Sequence, residues 1–229
     1  MSTGTQQLNA PKILFENRSD AGQKLAMELA GIAPQTVVVL AIPNGGLPVA
    51  MEIAGALNAE LDILVCRKLA LPLNQEGGLG AVADDGTAFI NADIMRRDGI
   101  SQEQMEHETN LVKMNVKRRA AQYKGENPSP RLTGKTAIIV DDGLASGITL
   151  TVAIEATRHR RPVQVIAAVP VASVAGFNRV SRVADRVVTC AVAALPKFIL
   201  ADYYRNWRDI SDEETVHSLA QWRRRKGLV

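Results

Sequence analysis

The sequence predicts an α/β protein of three layers, α/β/α, built on an open and mostly parallel sheet, and three observations lead there. Residues 36–42 (TVVVLAI) and Thr136–Val140 are unbroken runs of β-branched and apolar residues, the pattern of strands buried on both faces. Strand-like runs alternate with segments of helical spacing, the order that places helices over a parallel sheet. Aromatic residues are only 4% of the 229, so Val, Ile, Leu and Ala must fill the core.

Taken in order, residues 8–15 predict an edge strand or an arm, and Asp20 with Gln23 fits a capping box opening a helix over 21–30. Residues 36–42 form the first buried strand, broken by Pro43, Asn44, Gly45 and Gly46. Pro48 suits the first turn of a helix, and Val49, Ala50, Ile53, Ala54 and Leu57 continue it at helical spacing. Residues 61–66 supply the next strand and complete a βαβ unit. Residues 81–83 and 87–90 flank Asp84-Asp85-Gly86, a hairpin turn. Ser101 with Gln104 caps a long polar helix to about Tyr123. Alternation then resumes: strand 136–140, helix 148–159, strand 163–169, helix 173–183 and strand 186–192. Ser211 with Glu214 caps a terminal helix. Loops are expected at 69–80, with Pro72, Gly77, Gly78 and Gly80, and at 125–134.

The length suits one domain spanning 1–229. Cys66 and Cys190 lie in apolar runs and predict buried free thiols in a reducing compartment. No signal pattern precedes Lys12 and no run is long enough to cross a bilayer, so a cytoplasmic location with no membrane partner is expected. The net charge of +3 is mild. Basic clusters at 117–119, 158–161 and 223–226 fall at helix ends, where cations meet the negative end of the dipole; nucleic acid is the lesser reading. His107, His159 and His217 share no ligand spacing.

The chemistry concentrates in residues 138–150, IIVDDGLASGITL. A buried strand delivers Asp141 and Asp142 at its C-terminal edge, where open α/β sheets bind ligands. Small residues follow, and a helix starts near Ile148. Its free amides, with the hydroxyls of Ser146 and Thr149, form a cradle for a phosphate dianion. Carboxylates suited to hydroxyls or a metal, beside a monophosphate cradle, describe a sugar phosphate.

With Ala137 ahead of them as the first apolar position, these residues closely resemble the 5-phosphoribosyl-1-diphosphate (PRPP) signature of type I phosphoribosyltransferases: four apolar residues, two acids, a small loop, Ser/Thr-Gly, any residue, then Thr. The resemblance implies that Asp141 and Asp142 hold the ribose hydroxyls, and that Leu144, Ala145, Ser146, Gly147, Ile148 and Thr149 grip the 5′-phosphate. It implies Mg²⁺ as cofactor, with Asp141 and Asp142 mostly as indirect ligands, and a homodimer. Pro43-Asn44-Gly45-Gly46 stands at the family's pyrophosphate loop, with Asn44 where a basic residue is usual. Arg67 and Lys68, ahead of the flexible flap at 69–80, resemble the cations that stabilise departing pyrophosphate, and Glu76 in the flap is a candidate acid/base. Asp84 and Asp85 read as turn residues.

At lower specificity the resemblance covers nearly the whole chain, and residues 15–22, 67–69, 195–198, 203–204 and 212–214 look like a bacterial and archaeal group of phosphoribosyltransferase-domain proteins. It implies a core over 36–192 and a small hood from 8–30 and 193–229, where Tyr203, Tyr204 and Trp207 either stack on an acceptor base or pack the hood. Ala145 replaces the Asp of the 6-oxopurine enzymes, which disfavours hypoxanthine, guanine and xanthine as acceptors and leaves the acceptor unidentified. The expectation is a transferase; the alternative is a PRPP-sensing regulator of the same fold that binds nucleic acid, with the basic clusters as its contact surface.

Overall fold

Alternate side chains of the buried strands serve two different cores, and that division sets the layers. In the computed structural model, which describes residues 5–32, 36–69, 79–125 and 127–227, a central parallel sheet has five strands. They are β2 (Val37–Ala41), β3 (Glu60–Ile63), β7 (Thr136–Val140), β8 (Gln164–Ala168) and β10 (Arg186–Val188), in the order β10-β8-β7-β2-β3. Val37, Val39 and Ala41 face one core; Val38 and Leu40 face the other.

The first core is covered by α1 (Arg18–Glu28), α2 (Gly46–Ala56), α4 (Gln102–Lys124) and α7 (Asp212–Arg225). The second is covered by α5 (Ile148–His159) and α6 (Val174–Val180), joined by an antiparallel sheet of β4 (Cys66–Leu69), β5 (Gly80–Ala83) and β6 (Ala88–Ile90). A third small sheet pairs β1 (Gln6–Leu8) with β11 (Ala191–Ala193), and β11 with β9 (Val171–Ser173), all parallel. A short helix α3 (Ala92–Arg97), capped by Asn91, precedes the long α4 and was not expected from the sequence.

Several expectations are corrected. The helix expected from Asp20 is capped three residues earlier by Asn17, whose side chain accepts from the Asp20 amide, while Asp20 Oδ2 accepts from the Glu16 amide at 2.9 Å. Two good capping residues compete there, and Asn17 wins. The edge strand lies at β1, ahead of the expected 8–15. Residues 61–66 and 186–192 each divide between two sheets: β3 ends and β4 enters the antiparallel sheet, and β10 ends before β11 enters the small sheet. The capping boxes at Ser101–Gln104 and Ser211–Glu214 are both formed. Cys66 is buried, Cys190 partly so, and both are free thiols.

The two chain ends are stitched together. Leu14 and Phe15 amides donate to the Tyr203 carbonyl, and the Arg205 and Asn206 amides donate to the carbonyls of Phe15 and Glu16. Phe15, Tyr203 and Tyr204 pack with Leu8, Ala191 and Ala193 in a core of their own. Among the described residues no helix is long and apolar enough to cross a membrane.

Candidate active site

Strands β2 and β7 are neighbours in register, Ala41 beside Val140, so the turns that follow them emerge side by side. The chain leaves β2 through α2 on one face and leaves β7 through α5 on the other. Such a divergence opens a crevice at the C-terminal edge of the sheet, the usual ligand position in open α/β folds.

A cavity of ≈ 190 Å³ opens there. Every residue from Asp141 to Gly147 lines it, with Thr149, Leu150, Lys68 and Leu200. The structure thus brings together both acids, the small-residue turn and one of the two cations singled out in the sequence. Ile148 is the exception in the turn: its side chain is buried in the second core, leaving only its backbone for a ligand.

The turn is held from behind. Arg179 Nε donates to the Ser146 carbonyl at 2.9 Å and Ser173 Oγ donates to the Ala145 carbonyl at 2.6 Å. Gly147 has φ +79°, where L side chains are strained, and a Cβ there would press on the Gly176 carbonyl oxygen at 3.1 Å. It is the N-cap of α5 and offers no side chain to the first helical amides, so the start of this twelve-residue helix presents donors suited to an anion. Ser146 Oγ makes one long contact, 3.5 Å, with the Ile148 amide.

The acids are not equivalent. Asp142 is buried: Oδ2 accepts from Arg18 Nε at 2.8 Å, and its carbonyl accepts from the Tyr204 hydroxyl at 2.6 Å. Asp141 Oδ1 accepts from the Asp142 amide at 2.9 Å. Burial, then the Asp142 charge, push the Asp141 carboxyl well above the ordinary carboxylate range, while Lys68 draws it down. Hard carboxylate oxygens beside an open cavity fit a Mg²⁺ that takes most of its ligands from phosphates and water.

Residues 43–46 press on this turn from the next strand. A Cβ on Gly45 would lie 1.9 Å from Asp142 Oδ2, and one on Gly46 would lie 2.6 Å from the Val140 carbonyl oxygen. The Pro43–Asn44 peptide is cis. The Asn44 side chain turns away from the cavity to Ile210, Asp212, Arg119 and Tyr123.

Arg67 does not line the cavity. It neighbours Lys68 on β4, so the two point to opposite faces, and Arg67 Nη1 donates to Asn115 Oδ1 at 3.0 Å. Glu76 and the flap around it lie outside the described residues. Asp84 and Asp85 form the β5–β6 turn, paired with Lys124 and His159. Tyr203 is fully buried and Tyr204 nearly so, which leaves neither ring a face for an acceptor and favours the packing reading for both. Trp207 is partly buried with the Arg18 guanidinium 4.0 Å above its ring.

Sequence reasoning missed Arg18, Leu200 and Arg119. Arg18 carried a signal, since a cation in the first turn of a helix opposes the dipole and calls for a partner elsewhere. Leu200 carried none; it packs on Gly143, where a Cβ would approach it to 2.2 Å. Arg119, one of the cations expected at a helix end, is buried.

The sequence profile of the family described as "Phosphoribosyl transferase domain" matches residues 5–201. Two Mycobacterium tuberculosis proteins, from strains CDC 1551 / Oshkosh and H37Rv and provisionally named phosphoribosyl transferases, are each 38% identical over 203 residues. The match covers 89% of this chain and 46% of each of them, so the chain spans about half the length of these relatives. The crystal structure of TT1426 from Thermus thermophilus superposes with a TM-score of 0.75 at 32% identity, covering 91% of this chain and 98% of that one.

Proposed function

The chain belongs to the phosphoribosyl transferase domain family, and from that premise we propose that it transfers the 5-phosphoribosyl group of PRPP to a nitrogenous acceptor other than a 6-oxopurine. The observation that supports this reading is the convergence of Asp141, Asp142 and the side-chain-free start of α5 on one cavity. The cavity sits where a ribose 5-phosphate would meet acids at one end and helix amides at the other.

The 5′-phosphate occupies the 144–149 turn, bound by backbone amides and by the hydroxyls of Ser146 and Thr149. Asp141 and Asp142 take the ribose hydroxyls. Mg²⁺, when bound, neutralises charge on the diphosphate. The C1–O bond breaks with its electron pair going to pyrophosphate, a nitrogen lone pair of the acceptor forms the new bond to C1 from the opposite face, and the proton that nitrogen carried passes to solvent. The acids stabilise positive charge growing on the ribose; Lys68 and the amides of 43–46 stabilise the leaving group. Ala145, exposed at the cavity, offers no acid to a 6-oxopurine base. A cytoplasmic homodimer belongs to the same proposal.

The test is incubation with PRPP and Mg²⁺ against a panel of bases and amines, reading pyrophosphate release. At least one non-oxopurine acceptor is expected to give turnover. Rapid turnover with guanine overturns the acceptor assignment, and PRPP binding with no release against every acceptor replaces the transferase reading with that of a sensor.

A further inference from the structure

The side chain of Asn44 has no hydrogen-bond donor left for an anionic ligand. Its Nδ2 donates to the Ile210 carbonyl at 2.8 Å and to Asp212 Oδ1 at 3.0 Å. Its Oδ1 lies 3.1 Å from Arg119 Nη2 and 2.8 Å from the Tyr123 hydroxyl. An Asn amide has two N–H donors, the groups a diphosphate would need, and both are committed.

The groups around it are themselves fixed. Arg119 is buried on α4, donates through Nε to Asp212 Oδ2 at 3.1 Å and pairs through Nη2 with Asp212 Oδ1, a two-point ion pair. Tyr123, one turn on, lies 2.7 Å from Asp212 Oδ1. Asp212 is the first residue of α7, and the Ser211–Glu214 capping box holds that helix start in place. Arg119, then its other partners Tyr123 and Asn44, hold the Asp212 carboxyl well below its ordinary range, so the pair stays charged at neutral pH.

The same stretch of chain also reaches the acids. Tyr204 donates to the Asp142 carbonyl, and Arg18 bridges Asp142 to the Arg208 carbonyl through Nη1 at 2.8 Å. Residues 204–212 therefore touch both halves of the crevice, the acidic turn at one end and the loop after β2 at the other.

We propose that Asn44 is a positioning residue, not a ligand of the leaving group: with Arg119, Tyr123 and Asp212 it clasps the 43–46 loop to residues 204–212 and fixes the pyrophosphate subsite relative to the acidic turn. The inference rests on the PRPP reading above. The loop then meets diphosphate through its backbone, and Arg119, the cation bonded to Asn44, serves through the clasp.

A single substitution separates the two roles. Were the Asn44 side chain in contact with diphosphate, Asn44→Lys would add a cation there and tighten PRPP binding. In a clasp, Asn44→Lys sets a second cation against Arg119 and breaks the Asn44 hydrogen bonds, so PRPP binding weakens by about tenfold or more. Titration calorimetry with Mg²⁺ measures PRPP and ribose 5-phosphate on the wild type and on the variant. Ribose 5-phosphate lacks the diphosphate, so its affinity should be unchanged, a selectivity that general loss of structure would not give.

Tighter or equal PRPP binding by Asn44→Lys overturns the inference. Should that variant lose both ligands, the isosteric Asp212→Asn decides: PRPP weakened with ribose 5-phosphate retained supports the clasp, and any other result overturns it. A wild type that binds ribose 5-phosphate but not PRPP sinks the functional reading itself, before the clasp is reached.

Discussion

Asp141 carries the clearest conflict between stability and chemistry. Its carboxyl is raised by burial and by the neighbouring charge of Asp142. An acid with a raised folded pKa binds its proton more tightly in the folded state, so the stability it lends is present at low pH. That stability is lost as pH climbs from the ordinary value of 3.8 through the folded value. Asp141→Asn removes the charge while its Oδ1 still accepts from the Asp142 amide. The variant should melt above the wild type at neutral pH, by a margin that shrinks toward pH 3.8, and should lose ribose 5-phosphate. An equal or lower melting temperature at neutral pH would show that the charge is not strained. Gly45 belongs to the same scale: the 1.9 Å approach to Asp142 leaves no space for a methyl group.

Elements explain which candidate side chains reach the site. Arg67 and Lys68 are adjacent in the sequence and equally attractive as cations, but a strand sends neighbours to opposite faces. The structure gives Lys68 to the cavity and Arg67 to Asn115 on α4. Lys68→Ala should therefore lower pyrophosphate release by about 10²-fold, and Arg67→Ala should change it far less. Equal losses from the two substitutions in steady-state kinetics would refute this division. The divided strands teach a related point. Residues 61–66 and 186–192 each read as one strand because an apolar run reports burial. It does not report which sheet supplies the hydrogen bonds, so the switches after Ile63 and after Val188 left no mark in the pattern.

At the scale of the whole molecule, residues 14–18 and 203–212 bond to each other and reach both turns of the crevice, Asp142 on one side and Asn44 on the other. Some apolar side chains remain exposed elsewhere. Leu111 and Met114, three residues apart on α4, are 43% and 62% exposed, and burying such a stripe favours association. The proposed homodimer should sediment at twice the single-chain mass of 24.7 kDa; a single-chain mass would remove it.

The α/β class, the strand–helix alternation, the acid pair and the small-residue turn ahead of α5 were all legible in the residues, because each is local. A buried strand, a capping box and a strand-to-turn-to-helix signature each depend on side chains a few positions apart. Three things were decided only in three dimensions: the pairing of β2 with β7 that sets two turns side by side, the Arg18 contact with Asp142 across 124 positions, and the burial of Arg119 against Asp212 across 93. Partners so distant leave no periodicity, since chain folding and not spacing brings them into contact.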